Sequence, residues 1–441
     1  INQKNGTFKD ETLERFNHIS FNSMGSDYGD LDNDTYPDLI TVDMLAENYA
    51  RSKENMASMS TENFMNMVKV GYHQAYMANN LHYAVGNGKF KETAQLSGIV
   101  KTDWSWAPLL ADLDNDGLKD IFISNGVYKD YTNQDFRGDL RARNARGEQM
   151  TLEAVLDLIP SEKLDNYAYQ NMGDLTFKKS IDEWGLNDPT FSNGAALADL
   201  DNDGDLDLLV NNVNDEIGLY RNNANQNYLQ LTFEGPENNA LGIGAKVYVE
   251  TSAGTQYQEF YMARGFQSSL PPIVHFGLGL DTQIEKIRVV WPDGKENMIT
   301  SPEPNQQLSV TYQNATVGSG ESRGIQTRKL NVQPETVGLS YTHTENDFND
   351  YDLQLLIPQK QSTKGAGLAV ADVNGDGLED LFAGNALGAA AALYLQQPDG
   401  SFTPSNQSLW QNESRYEDAN ALFFDADTDG RNRQAALEAG G

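Results

Sequence analysis

The sequence predicts an all-β protein in which one strand unit is used several times. The 441 residues include 39% hydrophobic and 10% aromatic residues together with 38 glycines, a composition typical of folded, strand-rich protein rather than of a disordered acidic chain. Four short segments combine a glycine turn with a phenylalanine, at Phe8, Phe90, Phe177 and Phe402, and an acidic cluster opens 22 or 23 residues after each. Such a constant spacing indicates a repeated supersecondary unit.

The charge and cysteine content exclude several classes of function. The chain has 32 Lys and Arg against 64 Asp and Glu, for a net charge of -32, which argues against nucleic acid or an anionic membrane as the partner and favours cations. It has no cysteine, so a disulfide framework, a thiolate zinc site and a cysteine nucleophile are all excluded. No apolar run reaches about 18 residues, so no transmembrane segment is expected.

The acidic clusters have the ligand spacing of a calcium loop. Oxygen-bearing side chains stand at positions 1, 3, 5 and 9 of each nine-residue cluster, and a backbone carbonyl is available at position 7. This arrangement suits a hard cation with six or seven oxygen ligands, Ca²⁺ better than Mg²⁺. The predicted ligands are Asp30, Asp32, Asp34, Tyr36 and Asp38; Asp112, Asp114, Asp116, Leu118 and Asp120; Asp199, Asp201, Asp203, Asp205 and Asp207; and Asp372, Asn374, Asp376, Leu378 and Asp380.

The sequence after each cluster argues against an EF-hand. An EF-hand places a bidentate Glu at position 12, and the residues found there are Thr41, Ile123, Val210 and Ala383. A short apolar run follows each cluster where an EF-hand would have a helix, so we expect the loops to join strands.

A turn-forming role for the Asp, Asn and Gly residues is the alternative interpretation. Ligand positions that stay in register over four clusters favour metal, because several carboxylates within a few ångströms repel one another unless a divalent ion compensates. About four Ca²⁺ sites are therefore expected. A fifth cluster, at Asp425, Asp427 and Asp429, has Arg433 where the last carboxylate should stand, and we expect it to be weak or empty.

These motifs carry a resemblance to known repeats. The Gly/Phe segment followed by the acidic cluster and an apolar strand resembles the FG-GAP or VCBS repeat, which implies blades of a β-propeller with Ca²⁺ in loops between strands. Four further motifs, in order, look like the ASPIC/UnbV domain: residues 239–247, 264–269, 275–279 and 289–294. The combination resembles the cartilage-acidic-protein-like family, in particular its bacterial surface lipoproteins, some of which are encoded near SusC/SusD-type nutrient receptors.

The landmarks predict the domain organisation. Residues 1–226 form a propeller portion, with helical insertions in residues 47–80 and 135–164. Residues 227–315 form the antiparallel β domain of ASPIC/UnbV type, since their apolar residues alternate. Residues 316–330, which are rich in Gly, Ser and Thr, form a linker. Residues 331–441 begin a second propeller, which we expect to be truncated.

The expected function is non-catalytic binding of a carbohydrate or protein partner at the cell surface, in an exported protein whose targeting segment lies outside this sequence. An outer-membrane receptor complex of SusC/SusD type is one expected setting. Trp104, Trp106 and Trp184 could stack on sugars or pack in the core. A polysaccharide-degrading enzyme and a structural subunit of a surface complex are the alternatives. No nucleophile elbow, phosphate loop or dinucleotide fingerprint is present.

Overall fold

The computed structural model describes residues 1–3, 5–55, 61–318, 339–344, 348–350, 353, 367–424 and 433–438. The chain divides into two compact units, Ile1–Arg328 and Lys329–Gly441, and each is described by itself below. Strands predominate and helices are few, as the sequence predicts. Within the described part of the chain, every helix is too short or too polar to span a lipid bilayer.

Three antiparallel sheets make up the first part of unit 1. Each follows the chain order of its main strands, so neighbouring strands are joined directly. Sheet I contains β2 (Gly25–Gly29), β3 (Asp38–Val42), β6 (Asn80–Ala84) and β7 (Phe90–Glu92); sheet II contains β4 (Met44–Leu45), β8 (Asp103–Ala111), β9 (Asp120–Asn125), β10 (Tyr167–Asn171) and β11 (Phe177–Lys179); sheet III contains β12 (Ser192–Ala198), β13 (Asp207–Asn212) and β14 (Gly218–Tyr220). A short parallel pair joins β1 (Ile19–Ser20) to β5 (Ala75–Tyr76).

The phenylalanine of the repeat opens the outer strand of a sheet. Phe90 begins β7 and Phe177 begins β11, whereas the acidic cluster that follows each of them belongs to the next sheet. The spacing of 22 residues therefore runs from the edge of one sheet to the first loop of its neighbour. The repeat in the sequence and the sheet in the structure are offset from each other.

One hydrophobic core is shared by the three sheets. Strand β2 lies against β8, and β8 lies against β12, so the sheets meet through their first long strands. Apolar side chains of all three sheets form one buried cluster, in which β9 is buried at every position because it is covered on both faces. Trp104 is only 4% exposed and contacts Trp106 and Tyr131, so it packs in the structure and is unavailable for stacking on a sugar.

Helices lie within both predicted insertions. They are α2 (Tyr49–Glu54) and α3 (Thr61–Lys69) in the first, and α4 (Gln134–Ala145) and α5 (Leu152–Leu158) in the second; α1 (Thr12–Arg15) precedes sheet I. Polar side chains cap three of these helices, because Asn48, Asn133 and Thr151 accept backbone N–H groups of the first turn. Both insertions follow the second strand of their sheet, at the end opposite the acidic loop.

The second part of unit 1 has its own core. A three-stranded sheet has the order β20-β15-β23 and a five-stranded sheet the order β17-β16-β21-β22-β24. Trp291 is 2% exposed at the centre of this separate apolar cluster. The strands are β15 (Asn227–Glu234), β16 (Lys246–Thr251), β17 (Gly254–Glu259), β18 (Ala263–Arg264), β19 (Ser268–Ser269), β20 (Val274–Gly279), β21 (Ile284–Val290), β22 (Lys295–Thr300), β23 (Gln306–Thr311) and β24 (Thr316–Val317).

The described part of unit 2 repeats the topology of sheet I. Sheet IV has the order β25-β26-β27-β28, followed by a helix and a two-stranded pair. The elements are β25 (Leu368–Ala371), β26 (Asp380–Ala383), β27 (Ala392–Gln396), β28 (Phe402–Ser405), α6 (Gln407–Asn412), β29 (Asp418–Phe424) and β30 (Arg433–Glu438). The doubtful fifth cluster, Asp425, Asp427 and Asp429, lies outside the described residues.

The predicted domain boundaries are compared here with the two compact units of the structure. Residues 1–226 and 227–315 fall within one compact unit, which extends to Arg328. Thr316 and Val317, at the start of the predicted linker, form β24 and pair with β22. Most of the remaining linker lies outside the described residues.

Candidate metal centres in the acidic loops

Each acidic cluster connects the first and second long strands of a sheet. Loop 1 (residues 30–38) joins β2 to β3, loop 2 (112–120) joins β8 to β9, loop 3 (199–207) joins β12 to β13, and loop 4 (372–380) joins β25 to β26. In each case the last residue of the cluster is also the first residue of the second strand. The apolar runs after the clusters are strands, as the sequence predicts.

The loops share a backbone conformation that only some residues tolerate. Position 4 has a left-handed φ of 56° at Asn33, 58° at Asn115 and 60° at Asn202. Position 6 is left-handed as well, with glycine in three loops and Thr35 at 72° in loop 1. Asn and Gly adopt this region at low cost, which explains the Asp-Asn-Asp-Gly pattern of loops 2 and 3.

The carboxylate at position 1 accepts hydrogen bonds from backbone N–H groups of its own loop. In loop 2, Asp112 Oδ1 accepts the N–H of Asp116 at 3.1 Å and its Oδ2 accepts the N–H of Gly117 at 2.9 Å. The equivalent pairs of bonds form at Asp30, Asp199 and Asp372. One acid at position 1 thus satisfies the two backbone donors at positions 5 and 6 in all four loops.

The carboxylates at positions 3 and 5 hold the rest of the turn. Asp116 Oδ1 at position 5 accepts the N–H of Leu118 at 2.8 Å, and the equivalent bond reaches Tyr36, Asp205 and Leu378 from position 5 of the other loops. Position 3 accepts the N–H of position 5 at Asp32, Asp114 and Asn374. The position 7 residues, predicted to offer a carbonyl, are thereby fixed through their own N–H groups.

The position 9 carboxylate joins its loop to the end of the third strand of the sheet or, in loop 3, to Asn222, two residues after β14. Asp207 Oδ2 accepts the N–H of Leu200 at 2.9 Å, and its Oδ1 accepts the N–H of Asn222 at 2.8 Å. Asp38, Asp120 and Asp380 make the same two bonds, to position 2 of their loops and to Ala84, Asn171 and Gln396. The predicted last ligand is therefore also a scaffold group.

This dual use predicts different outcomes for two substitutions in loop 3. Asp207→Asn turns an acceptor into a donor that faces a backbone N–H, so we expect it to lower the free energy of unfolding by about 1–3 kcal/mol even without metal. Asp201→Asn is the matched control, because among the described residues the ion pair of Asp201 is with the exposed Arg221, at 2.7 Å, and its loss should cost less than about 1 kcal/mol. Urea denaturation in EDTA measures both; equal losses would contradict the scaffold role.

Three of the loops bring three carboxylates together. Oxygen atoms of Asp30, Asp32 and Asp38, of Asp112, Asp114 and Asp120, and of Asp199, Asp201 and Asp203 lie within 4.8 Å of one another in each group. Within the described residues loop 4 does not form such a group: its position 3 is Asn374, whose Nδ2 donates to Asp376 Oδ2 at 2.9 Å. Three acids of the predicted ligand set are therefore grouped in each of loops 1, 2 and 3, but not in the described part of loop 4.

Burial makes these carboxylates hard to ionise without a neighbouring cation. Loss of solvent, reinforced by the charges of the other loop acids, raises the pKa of Asp30 to about 7 and that of Asp112 to about 8. Burial also raises the pKa of Asp38 to about 8. The ammonium of Lys119, itself buried, opposes the shifts at Asp30 and Asp112. A divalent ion would stabilise the charged forms in the same way and more strongly.

An acceptor without a donor supports the fit of loop 3 to a cation. Asp205 is fully buried, and its Oδ2 accepts the N–H of Ala224 at 2.7 Å. Its Oδ1 has no hydrogen-bond donor among the described residues, and the neighbouring Asp203 carboxylate raises its pKa in addition to burial. Carboxylate oxygens with spare lone pairs are the ligands that Ca²⁺ prefers. The residues present therefore fit a hard divalent ion.

Asparagine side chains join loops 1, 2 and 3 into a row. Asn33 Nδ2 donates to the carbonyl of Gly117 at 3.0 Å, and Asn115 Nδ2 donates to the carbonyl of Gly204 at 3.1 Å. On the strand side, Asn171 Nδ2 bridges the carbonyls of Leu31 and Lys119, and Asn222 makes the equivalent bridge between loops 2 and 3. Neighbouring loops in this row are therefore connected by direct hydrogen bonds.

The second part of unit 1 docks on loops 2 and 3. His275 Nε2 lies 2.7 Å from Asn115 Oδ1, and the N–H of Gly279 donates to the Asn115 carbonyl at 2.7 Å. Gln230 Nε2 donates to Asp199 Oδ2 at 2.8 Å. Gly277 leaves no room for a side chain, because a Cβ there would lie 2.1 Å from Asp112 Oδ2. The predicted motif at residues 275–279 is thus a contact with the second acidic loop.

The motif at residues 264–269 contacts all three sheets. Arg264 makes two hydrogen bonds to Asp27 of β2, at 2.6 and 2.5 Å, and one to the carbonyl of Leu110 in β8 at 2.7 Å. Ser268 Oγ accepts the N–H of Ala195 in β12 at 3.1 Å. Because the Arg264 and Asp27 side chains are only 6% and 0% exposed, their ion pair is a buried connection between the two parts of unit 1.

The sequence interpretation missed these connecting residues. Asn at position 4 recurs in loops 1, 2 and 3, and that recurrence was the available signal for the row. Nothing local to Gln230 or Arg264 indicates that they reach the loops or the sheets, since their partners are distant in the chain.

Comparison with known proteins identifies two modules. The family model described as ASPIC and UnbV matches residues 235–317, and that of the FG-GAP-like repeat matches residues 156–210. The first covers β16–β24 and begins directly after β15. The second runs from the end of the insertion in sheet II through loop 3 and β13, and so spans two sheets, as the offset of the repeat requires.

Cartilage acidic protein 1 is similar over 268 residues. The Mus musculus and Homo sapiens proteins are each 25% identical, over 53% of this chain and 41% and 40% of their own lengths. The Xenopus tropicalis protein is 23% identical over 53% of this chain and 41% of its own. The chain thus spans about two fifths of these relatives. The predicted combination is confirmed: this chain contains an FG-GAP-like repeat and an ASPIC/UnbV domain, in an architecture that it shares with cartilage acidic protein 1.

Proposed function

We propose that this protein is a non-catalytic binding protein, secreted or displayed at the cell surface, whose sheets are propeller blades held in register by Ca²⁺. The observation that carries the proposal is the row of three carboxylate groups, joined by Asn33 and Asn115, in which loops 2 and 3 also contact the second part of unit 1. FG-GAP repeats commonly bind Ca²⁺. Three loops with grouped acids are the strongest sites, and loop 4 is a weaker one.

The domain types support binding rather than catalysis. FG-GAP-like repeats and ASPIC/UnbV domains are not typical of enzymes, and the similar proteins are named for cartilage and for acidity, a property that this chain shares at a net charge of -32. The partner in this proposal is a carbohydrate or a protein at the cell surface. A lipoprotein anchor and a place beside an outer-membrane nutrient receptor are further elements of the proposal, carried by the bacterial resemblance alone.

The chemistry assigned to calcium is structural. When bound, the ion would neutralise acids that otherwise repel one another, at Asp30, Asp32 and Asp38 in loop 1 and at the equivalent residues of loops 2 and 3. The chain's own groups position these acids through the backbone bonds at loop positions 1 and 9. A ligand that binds the folded state alone stabilises by about 2.7 kcal/mol per site at one hundred times its dissociation constant.

Calcium removal tests the proposal. We expect EDTA to lower the melting temperature of the protein by at least about 5 °C, given two or more occupied sites, and Ca²⁺ to restore it while Mg²⁺ restores less. Asp116→Ala removes a position 5 acid together with its bond to the Leu118 N–H, so it should lower stability more at limiting Ca²⁺ than at saturating Ca²⁺. Differential scanning calorimetry at both calcium levels measures this. A melting temperature that EDTA does not change would contradict the calcium part of the proposal.

A further inference from the structure

A second polar site lies at the opposite end of sheet II from the acidic loops. A cavity of about 360 Å³ opens there between the two insertions and the ends of β9 and β10. Asn125, Asp103 and Arg51 form its interior, whereas Glu47 and Asp165 stand at its exposed rim. Leu164 and Ile181 supply apolar wall. The length of β9 separates the cavity from loop 2, because the strand runs from Asp120 of that loop at one end to Asn125 at the other.

Arg51 connects the segments that surround the interior of the cavity. Arg51 donates to both oxygens of Asp103, at 2.7 and 2.9 Å, and to Glu162 at 2.6 Å, and it lies 3.7 Å from Asp130. It therefore ties the first insertion to the second and to the start of β8. Asp103 itself has a left-handed φ of 61°, an uncommon conformation for a residue other than glycine.

The cavity has more negative than positive charge. Arg51 is paired with three carboxylates. Lys179 donates to Glu47 at 2.6 Å, and the Lys179 ammonium lies 4.6 Å from the centre of the Tyr167 ring. Asp165, at the rim, has no ion pair within the described part of the chain. Three carboxylates, Glu47, Asp103 and Asp165, thus line the cavity with two cations, and Arg51 is also paired with Asp130 and Glu162 outside the lining. The net charge is negative, so a further cation would be attracted.

An acceptor inside the cavity has no donor. Asn125 is 1% exposed, and its N–H and Nδ2 groups are used by Asn166 and by the carbonyl of Asp165. Its Oδ1 has no hydrogen-bond partner among the described residues. A buried amide oxygen without a donor destabilises the folded state, so a ligand that brings an N–H group would recover that free energy.

We propose that this cavity binds an alkylammonium group. The excess of carboxylates attracts the positive charge, Asn125 Oδ1 and the rim acids accept its N–H groups, and Leu164 and Ile181 contact its alkyl stem. The group could belong to a free amine or to a lysine side chain, since both present the same chemistry. This inference names a ligand class for the proposed binding role and is independent of calcium in the loops.

Three probes of similar size isolate the chemistry. Titration of the full chain with n-butylammonium, n-butanol and butyrate, followed by calorimetry or NMR, should show saturable binding of butylammonium at least tenfold tighter than of butanol, and no binding of butyrate. The affinity should fall as NaCl rises. Nα-acetyl-lysine methylamide distinguishes the sources: binding comparable to that of butylammonium indicates a lysine side chain, and its loss indicates a free amine.

Variants test the residues. Asn125→Ala should weaken butylammonium about tenfold, and Asp165→Asn, at the exposed rim, by about two- to fivefold. Asp157→Asn on α5 removes the same charge away from the cavity and should leave the affinity unchanged. Should Asn125→Ala fail to fold, Asp165→Asn alone decides. Equal affinity for butanol, or no saturable binding, would overturn the site.

The melting temperature in Ca²⁺ and EDTA, measured on the same sample, separates this inference from the calcium proposal. A retained calcium shift with no butylammonium binding overturns the cavity site alone. Butylammonium binding with no calcium shift supports the cavity site and counts against the calcium sites.

Discussion

Replacing Arg264 with alanine is expected to be the most damaging single change to the junction within unit 1. The substitution leaves the Asp27 carboxylate buried without its guanidinium partner, and truncating one member of a buried ion pair costs about 3–5 kcal/mol. Tyr261 and the N–H of Leu110 still donate to Asp27, which keeps the expected loss within that range. Urea denaturation of the two variants Arg264→Ala and Arg221→Ala measures the effect.

Arg221 is the matched control because its side chain is 67% exposed and pairs with an acid at the surface. Its replacement by alanine should change stability by less than about 1 kcal/mol. The double variant Arg264→Ala, Asp27→Asn should recover part of the loss, since the uncompensated charge is removed as well. A loss below 1 kcal/mol for Arg264→Ala would contradict a buried connection between the two parts.

Gly277→Ala is expected to have the second largest effect. The added Cβ would lie 2.1 Å from Asp112 Oδ2 and 2.5 Å from the Cα of Asn115, and much of what it meets is backbone that cannot move aside without distorting loop 2. Overpacking of this kind costs about 1–3 kcal/mol. Because Asp112 is the position 1 acid, the affinity of loop 2 for Ca²⁺ should fall at the same time.

Gly138→Ala provides the control for this substitution. Gly138 lies in α4, where a Cβ meets nothing within 4 Å, so alanine should stabilise the protein by about 0.5–1 kcal/mol. Calorimetric melting with calcium titration reports both quantities for each variant. A Gly277→Ala protein with unchanged stability and calcium affinity would show that the second part does not press on loop 2.

The loops could be predicted from sequence because their chemistry is local. The bonds from positions 1, 3 and 5 span no more than five residues, so the spacing of Asp, Asn and Gly is enough to specify the turn. The strands that follow were predictable for the same reason, from short apolar runs. The sheet to which each phenylalanine strand belongs could not be predicted, because a repeat in the sequence carries no information about where one sheet ends.

The connections between modules could not be predicted from local pattern. Arg264 and Asp27 are 237 residues apart, and His275 and Asn115 are 160 apart, so only the folded chain brings them together. The family resemblance located the motifs at residues 264–269 and 275–279 but did not indicate which residues they contact. The structure shows that both motifs join the ASPIC/UnbV domain to the sheets and their acidic loops.

Anomalous diffraction from crystals grown in Ca²⁺ tests the central claim most directly. We expect difference density at the centre of each carboxylate group in loops 1, 2 and 3, and weaker density or none in loop 4, where Asn374 replaces an acid. Loops that keep their conformation in saturating Ca²⁺ while showing no anomalous density in any of the three groups would contradict the account.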